Sequence, residues 1–272
     1  MIKALFFDLD GTLLTREKRI SPKTRAALAA CAEQDYRLFV ATARPPLLGR
    51  MLGWGADTLE LFAGGSYYNG GCMQIGGCKE YIPVLESIVQ QAIDLVCEDD
   101  KLNIALQLED EKHAFRFPLD DMGYQSWGVS ADETLTLGQS CTLKTIKILV
   151  FYANLIDSAT PINETIVAKL RAACAGNAQF YLTDHGKCAQ IMGKSVNKFR
   201  SIERIRAHLG LAKDEIAVFG DDVNDMEMLA EYPYSVAMGN AQAQVKTAAQ
   251  YVTADNDSDG IFEAIHHILK LL

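Results

Sequence analysis

The segment Phe6-Phe7-Asp8-Leu9-Asp10-Gly11-Thr12 constrains this chain more than any other. Residues 2–7 form an apolar run broken only by Lys3, as expected of a strand buried on both faces of a parallel sheet. Gly11 ends the run at a point where the backbone turns tightly and a ligand can come close. In an extended chain, residues two apart share a face, so strand geometry carried through Asp10 would crowd the Asp8 and Asp10 carboxylates together. Crowded carboxylates repel. Either solvent screens them at an ordinary strand end, or a hard divalent cation such as Mg2+ offsets them with oxygen ligands. An aspartate so placed is also a candidate nucleophile, able to form an aspartyl-phosphate.

The alternation of strand and helix patterns continues to about residue 82. Ser21 caps a helix that starts at Pro22, a strand follows over 37–41, and an apolar stretch over 59–63 leads into Gly64-Gly65. The same grammar returns late in the chain. It predicts a helix over 198–209, a strand over 215–220, a helix from Asn224, a strand over 235–238, a helix over 241–250 and a last helix after Asp259-Gly260. Both termini therefore build one α/β domain, a Rossmann-like doubly wound parallel sheet made of residues 1–82 and 188–272. Residues 83–187 read as an inserted α+β domain. Its expected elements are a helix over 84–97, strands over 103–109, 113–117 and 144–153, a helix over 161–174 introduced by Thr160, and a strand over 178–183. Residues 123–138 are polar and show no clean period.

Composition narrows the function. A net charge of -9 argues against nucleic acid and anionic membrane as partners, since both require a basic footprint. No run of eighteen apolar residues occurs and the N-terminus lacks a signal-peptide pattern, so a cytoplasmic location is expected. The seven cysteines contain no Cys-x-x-Cys pair, which speaks against a disulfide framework or a zinc site; Cys31, Cys97 and Cys174 fall in helix-like segments as small buried thiols. No histidine is assigned to catalysis, and nothing in the pattern fixes an oligomeric state.

Asp8-Leu9-Asp10-Gly11-Thr12 resembles the first motif of the haloacid dehalogenase superfamily of phosphohydrolases, and three further segments follow in that family's order. The resemblance implies that Asp8 attacks phosphorus and that Asp10 is the general acid and base, its backbone carbonyl also ligating the metal. Thr42-Ala43-Arg44 is similar to the second motif, so Thr42 and the Ala43 amide would donate to the phosphoryl oxygens. Val196-Asn197-Lys198 resembles the third, which supplies Lys198. Gly220-Asp221-Asp222-Val223-Asn224-Asp225 resembles the fourth. There Asp221 would bind Mg2+ directly, Asp225 would serve the metal from behind its ligands or through water, and Asn224 would contact phosphate or Lys198; Asp222 stands at a variable position.

An insertion after the third strand, with Asn69-Gly70 ahead of it and Asp259-Gly260 late in the chain, resembles the C2 cap of the Cof-type subfamily. The cap would then select the substrate. Arg44 and Asn69 are candidate substrate contacts, Arg44 equally a structural ion-pair partner. Tyr124 and Trp127 read either as a substrate-facing loop or as packing. Ala43, Phe199 and Gln190 depart from the Gly, Gly and Glu common in the family, which bears on substrate shape and leaves every charged group in place. The expected activity is Mg2+-dependent hydrolysis of a small soluble phosphomonoester such as a sugar phosphate, nucleotide or cofactor phosphate. A phosphomutase of the phosphomannomutase kind, which shares the two-acid strand and would be told apart by a hexose bisphosphate requirement, and a non-catalytic phosphometabolite-binding protein are the alternatives; the presence of both Asp8 and Asp10 speaks against the second.

Overall fold

In the computed structural model, which describes residues 1–152 and 160–272, the strands in chain order are β1 (Ala4–Phe7), β2 (Arg37–Ala41), β3 (Phe62–Tyr67), β4 (Cys72–Ile75), β5 (Cys78–Tyr81), β6 (Leu102–Leu108), β7 (His113–Phe115), β8 (Leu135–Thr136), β9 (Thr145–Tyr152), β10 (Ala178–Thr183), β11 (Cys188–Gly193), β12 (Ile216–Gly220), β13 (Tyr234–Ala237) and β14 (Tyr251–Val252). They form two sheets, and the chain divides into two units. The first unit comprises Met1–Ala43, Trp54–Glu80 and Asn197–Leu272; the second comprises Arg44–Gly53 and Tyr81–Val196.

The first unit holds a sheet in the order β14-β13-β12-β1-β2-β3-β4-β5, parallel from β14 through β3. All four residues of β1 are buried, which is why its sequence is continuously apolar and not alternating. Neighbouring strands interlock through stacked rings in register. Phe6 lies on Phe39 with centroids 4.8 Å apart, and Phe7 on Phe219 at 4.7 Å. Because β1 sits between β12 and β2, residues from both ends of the chain meet at the carboxyl edge of the sheet, where ligands bind in open α/β folds.

Several elements differ from the sequence reading. The apolar stretch expected over 59–63 forms β3 at Phe62–Tyr67 and runs through Gly64-Gly65. A Cβ on Gly65 would stand 2.4 Å from the Val40 side chain, so the glycine serves close strand packing and does not end the strand. The hairpin pair β4 and β5, turning at Gly76-Gly77, adds an edge that the sequence reading lacked. The helix expected from Asn224 begins as a single 3-10 turn, Val223–Asp225, before the α-helix Met226–Glu231.

The second unit is a six-stranded sheet in the order β10-β11-β9-β6-β7-β8. The pairs from β10 through β7 are antiparallel and β7–β8 is parallel. Helices Glu86–Val96 and Glu164–Cys174 pack with the sheet residues Leu102, Ile104, Leu106, Ile148, Val150 and Ile191 in one apolar core. The second of these helices starts at Glu164 and not at Pro161, because the Asn163 side chain, not Thr160, accepts the Thr165 amide at 2.9 Å. The expected strand over 144–153 is β9, Thr145–Tyr152; Ala153 lies outside the described residues. The helix Asp121–Trp127, capped by the Asp120 side chain, runs into the segment without a period. Tyr124 and Trp127 pack there against Phe115, and Trp127 also against Phe151, as an aromatic cluster. Cys31 and Cys174 are buried as expected, but Cys97, at the end of its helix, is exposed. All seven cysteines are free thiols.

His113 is buried beside Gln107 and the Glu111 carbonyl. The carbonyl 3.0 Å from Nδ1 only accepts, so Nδ1 carries the proton and Nε2 accepts from the Gln107 amide at 3.3 Å. Burial holds the imidazole neutral, lowering its pKa from 6.5 to about 4. The unfolded chain takes up this proton near pH 6.5, whereas the folded chain refuses it until about pH 4. Stability from this group is thus full above pH 6.5 and falls as pH drops through that window, by about 3 kcal/mol in all. Urea unfolding at pH 7, 6, 5 and 4 should show this slope, and His113→Gln should lose it.

Candidate active site

The hydrogen bonds that follow β1 show where the strand ends. The Thr12 and Leu14 amides donate to the Leu9 carbonyl at 3.3 and 2.9 Å, and the Leu13 amide to the Asp8 carbonyl at 3.2 Å. The chain therefore leaves β1 in a wide turn, and the rule that puts residues two apart on one face stops at Phe7. The Asp10 carboxylate instead accepts from Lys18 Nζ at 2.7 Å, an exposed pair. The Thr15 amide donates to the Arg19 carbonyl and the Lys18 amide to the Thr15 carbonyl, folding the loop back so that Lys18 faces Asp10.

Asp8 meets acids from the other end of the chain. Ligand atoms of Asp8, Asp221 and Asp225 lie within 4.8 Å of one another. Between Asp8 and Asp225 sits Lys198, whose Nζ donates to Asp8 Oδ1 at 2.5 Å and to Asp225 Oδ1 at 2.6 Å. Lys198 Nζ and the Asp225 side chain are sealed from solvent, and Asp8 nearly so. Burial works against the lysine charge, but Asp225 and Asp8 outweigh it and hold the ammonium above its usual range. Burial also pushes the Asp8 carboxyl well above 3.8, with Lys198 opposing and the Asp225 and Asp221 charges adding to the rise. Burial and then Asp225 raise Asp221 to about 7, against the bond from Thr12. With all three carboxylates ionised, the single ammonium leaves two negative charges in excess, and a divalent cation with oxygen ligands fits that excess.

Backbone geometry fixes each group. Asn197 caps the helix Lys198–Leu209 by accepting the Arg200 amide at 2.8 Å, which sets Lys198 as the first helical residue. Gly70, at φ 102°, lets the Asn197 carbonyl approach to 2.3 Å from where a Cβ would stand. Asp225 Oδ2 accepts the Asp221 and Asp222 amides at 3.0 and 3.1 Å, folding the 221–225 turn onto itself while Oδ1 faces Lys198. Asp221 Oδ1 accepts from the Thr12 hydroxyl at 2.7 Å. Asp222 takes no part in the three-carboxylate cluster.

The remaining expected residues are placed as follows. Thr42 is buried at the end of β2, its amide donating to the Ser66 carbonyl and its carbonyl accepting the Asn69 amide. Asn69 is buried with φ 57°, a left-handed conformation that asparagine tolerates. Its side-chain oxygen accepts from Asn224 Nδ2 at 2.9 Å, so these two residues, read separately in the sequence, form one contact. Ala43 closes the first segment of the first unit, and Arg44 begins the second unit. Sequence reasoning gave no role to Thr12, Lys18, Asn197 or Asn240. Asn240 follows β13 at the same sheet edge as Asp8 and Asp221, which is the positional signal that would have singled it out.

A family model of haloacid dehalogenase-like hydrolases matches residues 5–265. A 5-amino-6-(5-phospho-D-ribitylamino)uracil phosphatase of Bacillus subtilis is 26% identical over 267 residues, covering 98% of this chain and 95% of its own. An HMP-PP phosphatase of Serratia proteamaculans is 27% identical over 256 residues, covering 91% of this chain and 87% of its own. Among solved structures, a sugar phosphatase of haloacid dehalogenase subclass IIB is similar with a TM-score of 0.81 at 27% identity, over 98% of this chain and 99% of that one.

Gly11 tests how tightly the site is built. It has φ 84°, and a Cβ there would stand 2.3 Å from Asp221 Oδ2. Gly11→Ala should displace the Asp221 carboxylate and lower kcat/KM for p-nitrophenyl phosphate by about a hundredfold, the effect of roughly 1 Å of misplacement. Gly210→Ala has a similar φ of 66° with nothing within 4 Å. That variant should lose only about 1–2 kcal/mol of stability and keep wild-type turnover.

Proposed function

This chain belongs to the haloacid dehalogenase-like hydrolases and is a phosphoric monoester hydrolase; we propose that it releases phosphate from a small phosphorylated metabolite through an aspartyl-phosphate on Asp8, with Mg2+ held beside it. The observation that carries this reading is the placement of Asp8. Lys198 clamps one of its oxygens inside a buried cluster that includes Asp221 and Asp225.

With Oδ1 held by Lys198, Oδ2 is the oxygen we assign to the attack on phosphorus. The bond from Asp8 to phosphorus forms as the ester bond breaks, and the departing oxygen takes its proton from Asp10. Asp10 then accepts a proton from the water that cleaves the acyl-phosphate, which restores both carboxyl groups. An ion pair as exposed as Lys18–Asp10 is worth under about 1 kcal/mol, so Asp10 exchanges Lys18 for a substrate oxygen at little cost. Thr42 and the Ala43 amide donate to the phosphoryl oxygens, and Lys198 supplies a fixed positive charge beside them. Asn224 and Asn69 hold each other, and through that bond they fix the loops that carry Thr42 and Asp221.

Asp8, Asp221 and the Asp10 backbone carbonyl would hold Mg2+, with Asp225 contributing from behind these ligands or through water. Bound there, the ion neutralises negative charge on the phosphoryl group as it transfers. The groups of the first unit serve the phosphoryl group, which is common to all monoesters. We therefore assign discrimination among leaving groups to the second unit, with Arg44 among its candidate contacts and a non-peptidic phosphometabolite, as in the names of the relatives, as the substrate class. No helix among the described residues is long and apolar enough to cross a membrane.

Asp8→Asn should abolish phosphate release from p-nitrophenyl phosphate while circular dichroism stays that of the wild type. A folded variant with near wild-type turnover rules the aspartyl-phosphate out. Treatment with EDTA should remove activity and Mg2+ should restore it, while Asp221→Ala should raise the Mg2+ concentration needed for half activity. Full turnover in metal-free buffer contradicts the Mg2+ assignment.

A further inference from the structure

Beyond the four motifs, one side chain ties three separate pieces of the site together. Asn240 follows β13, and its Nδ2 donates to the Gly11 carbonyl at 2.8 Å and, more weakly, to Asp221 Oδ2 at 3.4 Å. Its Oδ1 accepts the Asn256 amide at 3.2 Å. The orientation of the amide follows from these partners, because turning it over would set an oxygen against two acceptors and an NH2 against a backbone N–H. Asn256 in turn donates from its own side chain to the Leu14 carbonyl at 2.8 Å. One residue on, Asp257 accepts the Arg16 amide at 2.8 Å. Asn240 at Gly11 and the Asn256–Asp257 segment at Leu14 and Arg16 thus hold the two ends of the turn that follows Asp10.

We propose that Asn240, braced by Asn256, is a positioning residue that sets the Asp221 carboxylate and the Gly11–Leu14 turn for metal binding. This role depends on the Mg2+ reading above. Thr12 donates to Asp221 Oδ1 at 2.7 Å and Asn240 to Oδ2, so each oxygen is fixed by one donor and keeps a lone pair for a cation. The Gly11 carbonyl lies one peptide from the Asp10 carbonyl assigned to the metal, and holding the first restrains the second. Asn240 is itself exposed and lies outside the three-carboxylate cluster, so it acts through Asp221 and the turn and not as a ligand.

The test is a Mn2+ titration of the full-length protein followed by electron paramagnetic resonance, with Mg2+ activation and thermal unfolding measured alongside. Asn240→Ala should weaken Mn2+ binding by about tenfold, the usual consequence of losing a partner that orients a ligand. It should raise the Mg2+ needed for half activity in step, and saturating Mg2+ should return kcat to near the wild-type value. Asn256→Ala should move both readouts in the same direction by less. Gly210→Ala serves as a variant destabilised away from the site. The proposal is overturned if Asn240→Ala binds Mn2+ as the wild type does, or if Gly210→Ala loses as much affinity, since the effect would then be one of general stability. A wild-type protein that binds no Mn2+ overturns the metal assignment itself, an outcome distinct from equal binding by wild type and variant.

Discussion

The ammonium of Lys198, sealed between Asp8 and Asp225, is the interaction around which the first unit is arranged. A lysine taken out of water alone costs several kcal/mol, and two buried carboxylates alone would each take up a proton. Together they compensate only in part, since Asp221 adds a third carboxylate to the cluster. This leaves the site with an electrostatic deficit built by the fold. Removing Lys198 would deepen that deficit and leave Asp8 with no fixed partner on Oδ1, so the residue is as much a structural element as a chemical one.

Meeting this requirement dictates much of the backbone. Asp8 comes from the end of β1, and Asp221 and Asp225 come from the turn after β12, hydrogen-bonded beside it. Lys198 has to enter at the first turn of its helix, which needs Asn197 as the cap and Gly70 without a side chain. Gly11 is needed for a different reason: its missing Cβ leaves the space that Asp221 occupies. These residues look unrelated in the sequence, yet each answers a clash or an unsatisfied group near one charge cluster.

The parallel strands were legible because strands buried on both faces can only be apolar, as β1 and β12 are and as β2 is beyond Arg37. The four motifs were legible because each falls at a strand end or a helix start. What failed did so for local reasons. Gly64-Gly65 reads as a stop, but close packing on Val40 keeps it within β3. Gly76-Gly77 carried a turn signal, whereas the flanking strands, four residues each, are too short to announce themselves. The partner of Asp10, Lys18, is brought by a loop whose fold depends on its own backbone bonds. Asn240 and Asn256 escaped notice because their value lies in contacts 229 and 242 residues away in the chain.

The pairing of β1 with β12 also sets a timetable for the protein's birth. Residues 8 and 225 are separated by most of the chain. At a synthesis rate of about 5–20 residues per second, β1 leaves the ribosome roughly ten to forty seconds before its neighbour exists. During that interval, β1 can pair with β2 and β2 with β3, but the other edge of β1, four fully apolar residues with unpaired amides and carbonyls, has nothing to cover it. The residues from Tyr81 to Val196 are made in the meantime and hold a sheet and core of their own. The waiting edge of β1 is thus the place where a nascent chain of this architecture is most exposed to pairing with the wrong partner.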